Sequence, residues 1–141
     1  MIIFDTNVVS AMMQPNSNYS VITWIDRQAS KSLPWITTLS IYEILYGLAI
    51  GPTGKRIDHL THIFETEIMD FFKDRILTFD VNAAEHTAKL AAKRKPSGIN
   101  IDMIDTQIAG IALANNATLA TRNIKHFQDA GIKLVDPWQF G

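Results

Sequence analysis

The chain has 141 residues, a net charge of −1 at pH 7, 47% hydrophobic and 19% charged residues, and no cysteine. That length suits one domain (1–141) burying most of its unfolded surface, and that composition excludes a disordered chain. The missing cysteines exclude disulfides and thiolate metal sites and are compatible with a cytoplasmic protein.

No basic region followed by an apolar core opens the sequence, and no apolar run approaches the ~20 residues that span a bilayer, so neither a signal peptide nor a membrane partner is expected. A protein that meets nucleic acid through a broad basic face is usually far more basic than this one. Contact with nucleic acid therefore falls to local clusters: Lys93-Arg94-Lys95, Lys55-Arg56, and Arg122 with Lys125. Each competes with an ordinary solvated helix end.

Met1-Ile2-Ile3-Phe4 runs straight into Asp5-Thr6-Asn7, which predicts a short buried strand ending in a turn. Ligands in open α/β sheets bind outside the carboxyl ends of strands, which places Asp5 where chemistry is expected. Asp5 is equally suited to capping the helix predicted from Val8 to Met13. Ser17 or Asn18 is expected to cap a second helix, carrying Val21, Ile22, Trp24 and Ile25 and ending near Ser30 to Ser32. Pro34 to Thr38 reads as a second strand. Ser40 with Glu43 three positions on fits a capping box, and Ile41, Ile44, Leu45 and Leu48 then form one apolar helix face.

Gly51-Pro52-Thr53-Gly54 breaks the chain before a longer helix with Ile57, Leu60, Phe64, Ile68 and Phe71 or Phe72 inward. Arg75 to Asp80 reads as a third strand. An alanine-rich helix over Asn82–Lys95 stops at Pro96-Ser97-Gly98. Another opens at Asp102 or its neighbours, repeats Ile104, Ile108, Ile111 and Ala112, and ends at Asn115-Asn116. Ala117–Thr121 is the fourth strand, Ile124–Asp129 a short helix and Ile132–Val135 the fifth strand. Strands alternating with helices imply parallel β-strands with helices on both faces.

Three acids occupy comparable places. Asp5 ends the first strand, Glu43 lies in the first turn of the helix after the second, and Asp105 lies in the first turn of the helix before the fourth. A carboxylate in a first helical turn is favoured by the macrodipole alone. Several gathered at one sheet edge repel one another unless a cation fills the gap, and hard oxygen ligands suit Mg²⁺ or Mn²⁺. His59-x-x-His62 falls on the expected solvent face, His86 and His126 have no partner in sequence, and Trp24, Trp35 and Trp138 read as core or interface residues.

An ordered set of segments resembles the PIN domain, in particular the VapC-type ribonuclease toxins of bacterial toxin–antitoxin pairs and their FitB and StbB (plasmid-stability) branch. The segments are Asp5-Thr6-Asn7, Leu39 to Gly47, Arg75 to Asp80, Asp105 to Ala112, Leu119 to Asn123 and Asp136-Pro137-Trp138. The resemblance implies a three-layer α/β/α sandwich with a five-stranded parallel sheet in the order 3-2-1-4-5. It places Asp5 opposite Thr121–Asn123 at the topological switch point. It matches Asp5, Glu43 and Asp105 to acids that hold the metal, and Asn123 to a fourth. An amide there keeps an oxygen but brings no negative charge. Some relatives carry Asp three positions later, where this chain has His126. Asp102, three residues before Asp105, either substitutes for the missing acid or caps its helix.

The activity implied is endoribonuclease cleavage of RNA with Mg²⁺ or Mn²⁺. Asp5 and Asp105 hold the ion. Glu43 does so directly or through water, or orients the attacking water. Thr6, Asn7 and Thr121 bind phosphate or fix the carboxylates. The partners implied are RNA, a cognate VapB- or FitA-like antitoxin and a second copy of the chain. One alternative is a PIN-like module, weakened by Asn123, that binds RNA or protein without cleaving. A more distant one is a phosphoacceptor receiver domain, which Asp80 fits and which leaves Glu43 and Asp105 unused.

Overall fold

The computed structural model describes residues 1–139. Its strands are short: β1 is Ile2–Phe4, β2 Ile36–Thr37, β3 Ile76–Leu77, β4 Thr118–Ala120 and β5 Leu134–Val135. The α-helices are α1 (Thr6–Met13), α2 (Tyr19–Lys31), α3 (Thr38–Ile50), α4 (Lys55–Ile63), α5 (Met69–Phe72), α6 (Val81–Arg94) and α7 (Met103–Ala114). No described helix is long and apolar enough to cross a membrane.

All strand pairing is parallel. β1 pairs with β4 (Ile2 to Thr118, Phe4 to Ala120), and β4 pairs with β5 (Leu119 to Leu134). Separately, β2 pairs with β3 (Ile36 to Ile76). The five-stranded sheet expected from the sequence is thus a three-stranded sheet and a two-stranded one, meeting at a single parallel bridge between Ile3 and Trp35. Two hydrogen bonds of 2.9 Å make that bridge, Phe4 N–H to the Trp35 carbonyl and Trp35 N–H to the Ile2 carbonyl. The ladder goes no further because the chain turns into α1 after Asp5 and into α3 after Thr37.

Period-two alternation divides β1 between two cores. Ile2 and Phe4 join Val8, Val9, Val21, Ile25, Phe64, Ile68 and Phe72, while Ile3 joins Leu90, Ile108, Ile111, Leu119 and Phe127 on the other face. A strand buried on both faces has no polar alternation to show, which is why β1 reads as one apolar run.

Three expectations need correction. The cap of α3 is Thr37, whose hydroxyl accepts from Ser40 N–H at 3.1 Å, so Ser40 lies inside the helix and the Ser40–Glu43 capping box does not form. The long helix after Gly54 is interrupted by a π-helical turn at Phe64–Ile68. Phe64, Ile68 and Phe72 are all buried, as their i, i+4, i+8 spacing indicates. Finally, Arg94 is no solvated helix end. It continues the buried stripe of α6 (Ala83, Thr87, Leu90) and is only 3% exposed. Its guanidinium donates to both Asp129 carboxylate oxygens (2.9 and 2.7 Å), to Thr106 Oγ1 (3.0 Å) and to the His126 carbonyl (2.8 Å). Those bonds hold the Asp129 carboxyl below its usual range and remove Arg94 from any nucleic-acid surface.

α6 and α7 approach closely at Gly110. A Cβ there would lie 1.9 Å from Thr87 Oγ1 and 2.8 Å from the Ala83 carbonyl oxygen. Alanine gains about 1 kcal/mol in helix propensity over glycine, and overpacking costs about 1–3 kcal/mol. The Ala83 contact is to backbone and cannot rotate away. Gly110→Ala is therefore expected to lower the thermal midpoint by several degrees, which a calorimetric melt measures; an unchanged midpoint contradicts the packing described.

Candidate active site

β1 ends at Asp5, whose backbone N–H continues the β1–β4 ladder to the Ala120 carbonyl (2.9 Å) and whose side chain caps α1. Strand end and helix cap are the same residue, which fixes the carboxylate between the two. One oxygen accepts from Thr6 N–H at 2.8 Å; the other accepts from Thr121 Oγ1 at 2.7 Å. Thr121 is the residue after β4, and its hydroxyl also accepts from Asn123 N–H at 3.0 Å. Asp5 is 2% exposed. Burial raises its pKa from 3.8 to about 6; the bonds from Thr121 and Thr6 oppose the rise, and the charges of Asp105 and Glu43 add to it.

Glu43 projects from α3 toward the same place. Thr6 Oγ1 donates to it at 2.5 Å and lies 2.9 Å from Ser40 Oγ. Its pKa is raised by burial, with the Thr6 bond opposing and the charges of Asp105 and Asp102 adding. Asp105, in the first turn of α7, meets His126 Nδ1 at 2.7 Å. Asp102 caps that helix by accepting from Ile104 N–H at 2.7 Å, and its charge reaches Glu43 from there.

Asp5, Glu43 and Asp105 line one open cleft of about 470 Å³, together with Asn123, Arg122 and Trp138. Asn7, Ser10 and Gln14 line its α1 wall. Their i, i+3, i+7 spacing makes one polar face, on which Asn7 was expected at the site and Ser10 and Gln14 join it. Unforeseen was the His126–Asp105 pair, which only the turn at Ile124–His126 brings about. Trp138, expected in the core or at an interface, packs against the core and faces the cleft as well. His59 and His62 are exposed and away from it.

Among the described residues, no three His, Asp or Glu side chains stand close enough to hold a metal ion together as they are. Glu43 turns one oxygen to Thr6, and Asp105 turns one to His126. The donor chemistry nonetheless fits a hard divalent cation. The cleft is lined by carboxylate and amide oxygens, and a cation would offset both the burial that raises the Asp5 pKa and the smaller repulsion from Asp105 and Glu43.

A family model described as PIN domain matches residues 2–133. The chain belongs to the PIN-domain family. This PIN domain is 38% identical over 139 residues to the plasmid stability protein StbB of Pseudomonas syringae pv. tomato, covering 99% of each chain. It is 34% identical over 139 residues, again 99% of each, to VapC ribonuclease Y4jK of Sinorhizobium fredii. Toxin FitB of Neisseria gonorrhoeae is 31% identical over 138 residues, 98% of this chain and 99% of that one. The crystal structure of FitAcB from that organism superposes with a TM-score of 0.87, covering 98% of this chain and 99% of the other.

A buried carboxyl with a raised pKa makes stability depend on pH. The folded chain holds this proton more tightly than the unfolded chain does, so stability falls as pH rises through the interval from 3.8 to about 6. The full penalty is about 3 kcal/mol. Asp5→Asn keeps the acceptor for Thr6 N–H and removes the charge. In urea denaturation without metal, the variant's advantage over the parent is expected to grow between pH 4 and pH 7.5 by up to that amount. A pH-independent difference refutes the assignment.

Proposed function

We propose that this PIN domain is the toxin of a type II toxin–antitoxin pair: an Mg²⁺- or Mn²⁺-dependent endoribonuclease that hydrolyses RNA phosphodiester bonds in the cytoplasm. The observation that carries this reading is Asp5, buried at the sheet's carboxyl edge with a raised pKa and facing Glu43 and Asp105 across one cleft. The names of the relatives, VapC ribonuclease and toxin FitB, support the class of activity and the biological role. We read the two sheets as parts of one five-stranded sheet, order 3-2-1-4-5, inside a three-layer sandwich. The Ile3–Trp35 bridge supports that reading.

In this reading Asp5, Glu43 and Asp105 hold the cation, with Asn123 adding an uncharged oxygen. What the cation supplies when bound is a lower pKa for an attacking water and relief of charge in the phosphorane-like transition state. The remaining tasks belong to the protein. Thr121 and Thr6 N–H hold Asp5 in place, so its carboxylate needs no reordering. The Thr6 hydroxyl orients Glu43 and leaves that carboxylate an oxygen to orient water. Asp102 stays at its helix cap and acts on the cleft only through its charge.

A cognate antitoxin of the VapB or FitA kind and a homodimer complete the proposal. The exposed Tyr42, Leu45, Tyr46 and Ile50 of α3 supply apolar surface for one such interface. The rival reading, a PIN-like module that binds without cleaving, draws on Asn123 and on the absence of a preassembled metal cage among the described residues.

Incubating the protein with mixed RNA and Mg²⁺, Mn²⁺ or EDTA separates the two readings. Cleavage is expected with metal only, and Asp5→Asn and Asp105→Asn are each expected to abolish it while remaining folded by circular dichroism. Full activity in EDTA, or of Asp5→Asn, sinks the metal-nuclease reading.

The Asn123 assignment has its own test. Asn123→Asp adds a negative charge to the cleft and is expected to tighten Mn²⁺ binding, with Asn123→Ala weakening it. Calorimetric titration that finds the same affinity in all three proteins removes Asn123 from the ion.

A further inference from the structure

A cleft built from three carboxylates attracts a cation and repels the polyanion it is meant to cut. Arg122 is the one cationic side chain among the residues lining that cleft. Among the described residues it forms no ion pair, unlike Arg94, which is committed to Asp129. Instead its guanidinium lies over the Trp138 ring, 4.9 Å from the centroid. Stacking of this kind occupies the face of the guanidinium and leaves its in-plane N–H donors free. Those donors suit a phosphate, which arginine binds in a two-pronged fork.

The position is built from both sides. Arg122 N–H donates to Asn7 Oδ1 at 3.2 Å, which ties this residue to the first turn of α1 beside Asp5. Trp138 N–H donates to Asp136 Oδ1 at 2.9 Å, which fixes the start of the turn that carries the ring. A second depression, lined by Arg122, Asn123, Ile124, Lys125, His126 and Asp136, shares Arg122 and Asn123 with the cleft and adds a second cation, Lys125. Arg122 thus belongs to both the acidic cleft and the depression that carries Lys125.

We propose that Arg122, held flat by Trp138, is a phosphate-binding subsite that takes a backbone phosphate of single-stranded RNA next to the one cleaved. This rests on the ribonuclease reading and deepens it. Arg122 is a binding residue for the neighbouring phosphate, and the reacting phosphate stays with the acids. The Arg122–Lys125 segment, a bare basic cluster in the sequence, becomes the substrate track.

The test measures binding separately from cleavage. In an Asp5→Asn background with Ca²⁺, fluorescence anisotropy follows a short single-stranded RNA across a range of salt concentrations. Arg122→Ala is expected to weaken binding about tenfold. It is also expected to reduce the slope of log K against log salt by about 0.7, the signature of one lost phosphate contact on a single strand. Arg122→Lys should recover the slope and only part of the affinity, since it keeps the charge and loses the fork. Arg27→Ala, an exposed charge on α2, should change neither quantity. In the cleaving protein, the Arg122→Ala loss should fall on KM more than on kcat.

An unchanged affinity and slope for Arg122→Ala overturns the subsite while leaving the nuclease reading intact. A glutamate peptide of matching charge that binds as tightly as the RNA, with the same dependence on Arg122, overturns the assignment to phosphate. Failure of the parent protein both to bind and to cleave RNA removes the ribonuclease reading, and the subsite falls with it.

Discussion

A carboxylate with 2% of its surface exposed stands at the end of β1, and the surrounding architecture answers that constraint. Taking a carboxylate out of water is costly unless its oxygens are hydrogen-bonded and its charge is offset. Asp5 receives its bonds from two sources set by topology: the first N–H of α1 and the hydroxyl at the end of β4. The second bond spans 116 residues of sequence and exists because Phe4 and Ala120 are register partners, which places Asp5 beside Thr121. Hydrogen bonds settle the oxygens but leave the charge uncompensated, and Glu43 and Asp105 make that worse. The fold therefore spends stability to concentrate negative charge at one point, a pattern that belongs to function more than to packing.

How much of this was legible depended on whether the signal was local. The Asp5 turn reads directly because a short apolar run ending in Asp-Thr-Asn is both a strand end and a helix start, and the two roles coincide in one side chain. Asp102, which the sequence left open between a cap and a substitute for the fourth acid, caps α7. The cap of α3 went to Thr37 because the residue ending β2 is also the one before the helix; sequence alone offers Ser40 the same chemistry three residues later. Arg94 looked like part of a basic helix end, yet it follows Leu90 at i+4 and Thr87 at i+7 on the buried face. Periodicity carried the right answer there, and charge masked it. The π turn at Phe64–Ile68 leaves no such trace, because its buried residues keep the spacing of an ordinary helix face.

Arg94 also explains how the far wall of the cleft is held. Its bonds gather α6, Thr106 of α7 and the turn ending at His126. Thr106 is the neighbour of Asp105, and the His126 ring meets Asp105 directly. One buried guanidinium thereby sets the relation between Asp105 and the segment that carries Arg122, Asn123 and His126. Asp129 balances its charge from the solvent side, so the ion pair adds no net charge to the neighbourhood of the acids. Asp105 is consequently placed by structure behind it, as Asp5 is placed by Thr121.

The amide at position 123 is intelligible in the same terms. Near neutral pH the Asp5 carboxyl, with a pKa of about 6, is only just committed to its charged form. A fourth carboxylate facing it would push that pKa higher still and deepen the cost of folding without a cation. Asn123 offers an oxygen without that cost, and its backbone N–H meanwhile supports the Thr121 hydroxyl that Asp5 depends on. The opposing consideration is cation affinity, which grows with each negative charge at the site. In the proposed site, three acids and an amide would attract a divalent ion at a lower folding cost than four acids. His126 acts in the same direction, because its ring offers Asp105 a hydrogen-bond partner and adds no negative charge.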